Sequence, residues 1–192
     1  MKFPKFLLVL TLMLFPVSHV ASGEEAAQEE TLASMFPDGL QDRDGKEVSL
    51  DVLDGKIVGV YFSAYWCGPC RKFTPSLVNY RNANKDDFEV VFLSLDRTKE
   101  AKLKYMEDAE MDWLTVDYDG DVKTKLSKKW SVRSIPTLVL LKEGKTLTLD
   151  GRSLISANTD IAAIKDSRME TEEYNCGRCD KTHTREKLVL GE

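Results

Sequence analysis

The chain has 192 residues, with 32 acidic side chains against 27 basic ones and a formal charge of −5. That length holds one ordinary domain with extensions, and the acidic balance argues against a nucleic-acid or anionic-membrane partner. No G-x-x-x-x-G-K-S/T or G-x-G-x-x-G run is present, so nucleotide binding has no motif to stand on.

The chain opens with Lys2 and Lys5, an apolar run from Phe6 to Val17, and small residues at Ser18, Ala21, Ser22 and Gly23. This is the layout of a secretory signal peptide over residues 1–23. A membrane span wants about 20 apolar residues, more than this run supplies. Export into a periplasmic or secreted location is therefore expected. The chain ends in Val-Leu-Gly-Glu and not in a Lys-Asp-Glu-Leu type retrieval signal, which favours the periplasm. Loss of the two lysines takes the formal charge to −7, and loss of His19 leaves His183 as the one histidine. A Cys-His hydrolase, which needs a base beside its thiol, is a poor fit.

Residues 24–33 read as an acidic linker, followed by a domain over residues 34–167. Asp44-Gly45 and Asp54-Gly55 are turn signals, and Val48 and Leu50 between them suggest a short strand or hairpin. Ile57 to Phe62 is too short and too apolar for a surface helix and reads as a buried strand. Residues 68–83 read as a helix with Pro75 as a kink. Phe88 to Leu95 is a second buried strand, residues 98–109 an exposed charged helix, and residues 121–129 a shorter helix with Leu126 and Trp130 inward. Thr137 to Leu141 is a third strand, which Glu143-Gly144 turns into a fourth, Thr146 to Leu149. Ser153 to Asp166 closes the domain as one helix, and residues 168–192 form a polar C-terminal tail. Strands alternating with helices imply an α/β fold with a partly parallel sheet, finished by an antiparallel hairpin.

Cys67-Gly68-Pro69-Cys70 lies between the first buried strand and its helix. Two thiols three positions apart at a helix start can close on each other. The helix dipole and the free amides there favour the thiolate of the first. A free thiol has a pKa near 8.5, which a helix N-terminus lowers to about 7 or below. Cys67 is placed to gain from this as the attacking thiol, open to solvent; Cys70, inside the first turn, is placed to resolve the mixed disulfide. Trp66 shields one side, Gly68 and Pro69 shape the loop, and Pro136 enters the third strand, where a cis bond would free neighbouring main-chain groups for a substrate. Asp96, at the end of the second strand, has two readings: it tunes the site or, as such residues more often do, caps the helix starting near Thr98. The dithiol calls for no cofactor and no metal.

Tyr65-Trp66-Cys67-Gly68-Pro69-Cys70-Arg71, Pro75 and Ser134-Ile135-Pro136-Thr137 resemble the thioredoxin superfamily. Val60-Tyr61-Phe62-Ser63-Ala64, Phe73-Thr74-Pro75-Ser76-Leu77 and Leu126-Ser127-Lys128 are similar to its tryparedoxin/nucleoredoxin branch. The likeness covers residues 34–166 or so. It implies a thioredoxin-like fold, a central mixed β-sheet flanked by helices, with Cys67 attacking, Cys70 resolving and Pro136 as the cis-proline facing them. Thioredoxins carry a buried aspartate six residues before the attacking cysteine; here Tyr61 stands there, and the proton acceptor for Cys70 is left unidentified. The branch often has Pro-Pro between its cysteines, where this chain has Gly68-Pro69.

The expected function is an exported thiol–disulfide oxidoreductase of reductase or isomerase type. It would act as a monomer on disulfides in proteins or small thiols, and in an oxidising compartment it would draw electrons from a membrane donor. A binding or chaperone-like module with little turnover is the alternative. Cys176 and Cys179 leave three readings open: a structural disulfide, a redox relay, or a metal site with His183.

Overall fold

The computed structural model describes residues 30–175 and 182–191. A seven-stranded mixed sheet forms its centre. The chain enters through helix α1 (Leu32–Met35), then strands β1 (Leu40–Gln41) and β2 (Glu47–Val48). These two pair antiparallel around a turn in which Gly45 takes a φ of 82°, a backbone state glycine adopts without steric cost. The expected hairpin between residues 40 and 56 is thus present but short, and a 3-10 helix (Leu50–Leu53) follows it.

Strand β3 (Ile57–Ser63) and strand β4 (Phe88–Ser94) are buried at every position, the reason both read as mostly apolar runs rather than alternating ones. They pair in parallel, joined by helix α2 (Gly68–Ala83), which contains Pro75. Helix α3 (Lys99–Asp108), strand β5 (Leu114–Thr115) and helix α4 (Val122–Lys129) lead to strand β6 (Thr137–Lys142) and strand β7 (Lys145–Thr148). The strand order is β2-β1-β5-β4-β3-β6-β7, with β6 antiparallel to β3. Side chains Tyr61, Phe92 and Leu138 share one core with Phe73, Leu77, Tyr105 and Met106 from α2 and α3. Val60, Phe62 and Val139 share the other with Leu126 and Trp130 around α4. The result is the helix-flanked mixed sheet that the sequence implies.

Three segments differ from the sequence reading. The helix expected over Ser153 to Asp166 is two helices, α5 (Gly151–Ser156) and α6 (Ile161–Lys165). Between them Asn158 turns left-handed with φ 50°, and the Asp160 side chain accepts the Ala162 amide at 2.9 Å as a new N-cap. Strand β5 was not legible at all. Its two residues rely on Thr115 Oγ1 donating to the Phe92 carbonyl at 2.9 Å, a contact made across 23 residues.

The polar tail carries an antiparallel hairpin, strand β8 (Arg168–Asn175) with strand β9 (Thr182–Val189). Leu188 packs on the first core, and the Gly191 amide donates to the Ala163 carbonyl at 2.9 Å. A Cβ at residue 191 would lie 2.4 Å from Asp166 Cβ, so only glycine fits that approach. Cys176 and Cys179, the signal segment 1–23 and residues 24–29 of the linker lie outside the described residues. Among the described residues no helix is long and apolar enough to cross a membrane, and no group of three or more His, Cys, Asp or Glu could hold a metal ion.

Candidate active site

Strand β3 delivers the chain to the sheet's C-terminal edge, and α2 begins after four intervening residues. Cys67 is the helix N-cap, with extended backbone (φ −84°, ψ 106°). Its amide closes a turn onto the Ala64 carbonyl at 3.1 Å, and its Sγ accepts the Cys70 amide at 3.2 Å. A sulfur therefore fills the place a serine or aspartate oxygen takes in other helix caps. Pro69 lies in the first turn, where a missing N–H costs nothing. A Cβ on Gly68 would meet nothing within 4 Å; the loop does not need glycine for steric reasons, and what glycine provides is a bare surface beside Cys67.

Cys67 and Cys70 are joined as a disulfide, with their Cα atoms 5.2 Å apart. Cys70 is fully buried and Cys67 is 5% exposed. The expectation of a solvent-open sulfur is corrected: Ala64, Leu95, Ile135 and the bonded Cys70 close round it. Access comes instead through a groove of about 490 Å³ that Cys67 lines together with Trp66, Pro69, Leu95, Arg133 and Ile135. Cys67 Sγ lies 3.7 Å from the Ile135 carbonyl oxygen, and the Ile135–Pro136 peptide is cis. Trp66 is 60% exposed and forms a wall of the groove, its indole N–H donating to the Leu95 carbonyl at 3.3 Å.

Of the two readings for Asp96, the helix cap is not the one the structure shows. Thr98 caps α3, accepting the Ala101 amide at 3.2 Å. Asp96 is buried and faces the active-site turn: Oδ1 accepts the Tyr65 amide at 2.8 Å and Oδ2 the Ser94 hydroxyl at 2.8 Å. It ties the end of β4 to the turn that presents Cys67. The Tyr65 ring stacks on Tyr105 with centroids 5.5 Å apart. Its hydroxyl donates to Asp108 at 2.6 Å, and Lys104 beside Asp108 holds that carboxyl below its usual range.

Two further features escaped the sequence reading. Arg152, at the start of α5, donates to the Pro136 carbonyl at 3.1 Å with its guanidinium 5.5 Å from the Phe73 ring centroid. It braces the proline loop against α2. Tyr61, at the position where thioredoxins carry aspartate, is fully buried. Burial pushes its hydroxyl far above the ordinary tyrosine value, so it stays protonated. It meets Thr74 Oγ1 at 2.9 Å. The Thr74-Pro75 pair was visible in the sequence, but nothing local in it signalled a partner thirteen residues earlier.

A family model described as thioredoxin-like matches residues 55–147. The chain is 38% identical over 143 residues to probable nucleoredoxin 1 of Arabidopsis thaliana, covering 72% of this chain and 24% of that protein. It thus spans about a quarter of that relative's length. Among solved structures, tryparedoxin from Trypanosoma brucei matches with a TM-score of 0.61 at 35% identity, covering 67% of this chain and 92% of that one. Tryparedoxin II complexed with glutathionylspermidine matches with a TM-score of 0.61 at 34% identity, covering 66% of this chain and 92% of that one. Both the matched residues and the strand-turn-helix that holds Cys67 and Cys70 lead to one assignment: the chain belongs to the thioredoxin-like family, in the branch of tryparedoxins and nucleoredoxins.

Proposed function

We propose that this chain is an exported dithiol reductase or isomerase working through Cys67 and Cys70. The observation that carries the reading is the seat of Cys67, a helix-capping sulfur that takes a main-chain amide and lies at the floor of a mostly apolar groove. In the reduced protein the Cys67 thiolate attacks one sulfur of a substrate disulfide. A Cys67–substrate disulfide forms, the substrate S–S bond breaks, and the first leaving thiolate takes a proton. Cys70 then loses its proton and attacks Cys67 Sγ. The Cys67–Cys70 bond forms, the second substrate thiolate leaves and is protonated. Two electrons have passed from the dithiol to the substrate.

Gly68-Pro69 between the cysteines resembles the reducing members of the superfamily. The apolar groove suits disulfides in proteins, and the small-thiol complex of the related tryparedoxin II supports small disulfides as a second substrate class. Residues 1–23 address the protein to the periplasm or beyond, where a membrane-bound dithiol donor re-reduces it, and the protein acts as a monomer. Cys176 and Cys179 take no part in this exchange.

The test is insulin reduction by dithiothreitol. The wild-type chain accelerates it and Cys67→Ser does not. Equal, uncatalysed rates for both would overturn the proposal and favour a binding module. The double variant Cys176→Ser/Cys179→Ser retains the wild-type rate; a fall would assign that pair to an electron relay instead. N-terminal sequencing of the protein recovered from the periplasm begins near residue 24; an intact Met1 in the cytoplasm contradicts export.

A further inference from the structure

Four hydroxyls lie in the core beneath the active-site helix. Thr74 Oγ1 has three partners: the Cys70 carbonyl at 2.9 Å, the Tyr61 hydroxyl at 2.9 Å and the Tyr105 hydroxyl at 2.6 Å. Tyr105 in turn meets Ser63 Oγ at 3.2 Å. The proton count fixes every direction. A hydroxyl has one hydrogen and two lone pairs, and a carbonyl can only accept. Thr74 therefore donates to Cys70, and Tyr61 and Tyr105 both donate to Thr74. The Tyr105 hydrogen is then spent, so Ser63 donates to Tyr105. All four hydrogens point along one path that ends on the main chain of the resolving cysteine.

That carbonyl is one that matters. Pro75 has no N–H, so the Arg71 carbonyl beside it loses its ladder partner. The first turn of α2 is weakened where Cys70 sits, and the Thr74 hydroxyl adds a second bond to the adjacent carbonyl. Ser63 and Tyr61 come from β3, Thr74 from α2 and Tyr105 from α3, so three elements are locked onto one residue.

We propose that Thr74, held by Tyr61 and Tyr105, is the positioning residue for the resolving sulfur. It fixes the main chain of Cys70 so that its thiolate lies in line with Cys67 Sγ when Cys67 carries a substrate. The array takes the place of the absent aspartate in position but not in chemistry. Its hydrogens are all committed, and it holds Cys70 without serving as its base. This rests on the proposed dithiol exchange, and deepens its second step only.

The experiment separates the two steps on the full-length chain. Attack is read as the rate at which reduced Cys67 is alkylated by iodoacetamide. Resolution is read as the decay of a mixed disulfide formed on Cys67 with a thionitrobenzoate probe, followed by thionitrobenzoate release. Thr74→Val slows resolution about tenfold or more, since small misplacement of reacting atoms costs factors of that order. It leaves alkylation within about twofold, and Thr74→Ser restores resolution. Tyr105→Phe, which keeps the ring and deletes one donor, gives the same split at smaller size if Thr74→Val does not fold. Parallel loss of both steps, or no change in resolution, overturns the inference. A wild-type chain that forms no mixed disulfide would instead overturn the underlying exchange reading.

Discussion

Burial acts differently on Lys102 and on Cys67 once its disulfide is reduced. The sulfur of Cys67 is nearly enclosed, yet it receives an amide at the positive end of a sixteen-residue helix, and that favours the thiolate. Lys102 has an offset that falls short of the burial cost. It is buried, its Nζ donates to the Val116 carbonyl at 2.7 Å, and burial lowers its ammonium to about 8, opposed by Asp117 and aided by Lys99 and Lys123. Between about pH 8 and its ordinary value of 10.5, the unfolded chain keeps a proton that the folded chain has released. The unfolding free energy must therefore rise with pH across that window. Urea denaturation of wild type and Lys102→Met should show the difference, wild type minus variant, growing from pH 8 to pH 10. A flat difference would mean that the amine is not perturbed by the fold.

Among the elements, α2 and α3 carry the site and are fastened by different means. Arg81 on α2 makes a two-pronged bond to Glu89 on β4, at 2.9 and 2.7 Å, and both side chains are largely buried. Arg81→Ala leaves the Glu89 carboxylate without its cation and should cost about 3 kcal/mol or more in chemical denaturation; a loss below about 1 kcal/mol would show that water reaches it. Helix α3 depends on its Thr98 cap. Thr98→Ala should cost about 1 kcal/mol and leave insulin reduction unchanged, because the hydroxyl caps its own helix through the Ala101 amide, whereas Asp96 holds the Cys67 turn. Elements of strong pattern were legible in the sequence: β3, β4, β6, α2 and α3 fall within a residue or two of their expected limits. The break between α5 and α6 was not, because it turns on one left-handed asparagine inside an apolar spacing that continues through it. For Asp96 the sequence could not decide between a site role and a helix cap, since its partner, the Tyr65 amide, comes from thirty-one positions earlier.

At the scale of the whole molecule the fold's work is to bring three distant segments to one sulfur. The turn from β3 into α2 supplies Cys67 and Cys70, the end of β4 supplies Leu95 and Asp96, and the loop before β6 supplies Ile135 and Pro136. The cysteines and the proline were readable because a motif marks them. Arg152 and the hydroxyl array were not, because each acts on a main-chain carbonyl and so leaves no pattern in its own neighbourhood. The hairpin of β8 and β9 was hidden for another reason: most of its side chains are exposed and polar, which removes the alternation by which a strand is recognised. The account as a whole stands on the reactivity of Cys67. Its most direct test is alkylation of the reduced chain by iodoacetamide across pH, with each cysteine resolved by peptide mass spectrometry. Cys67 should react ahead of Cys70, with its half-maximal rate below the ordinary thiol value near 8.5; a Cys67 that titrates near 8.5 like a free thiol, or that reacts no faster than Cys70, would contradict it.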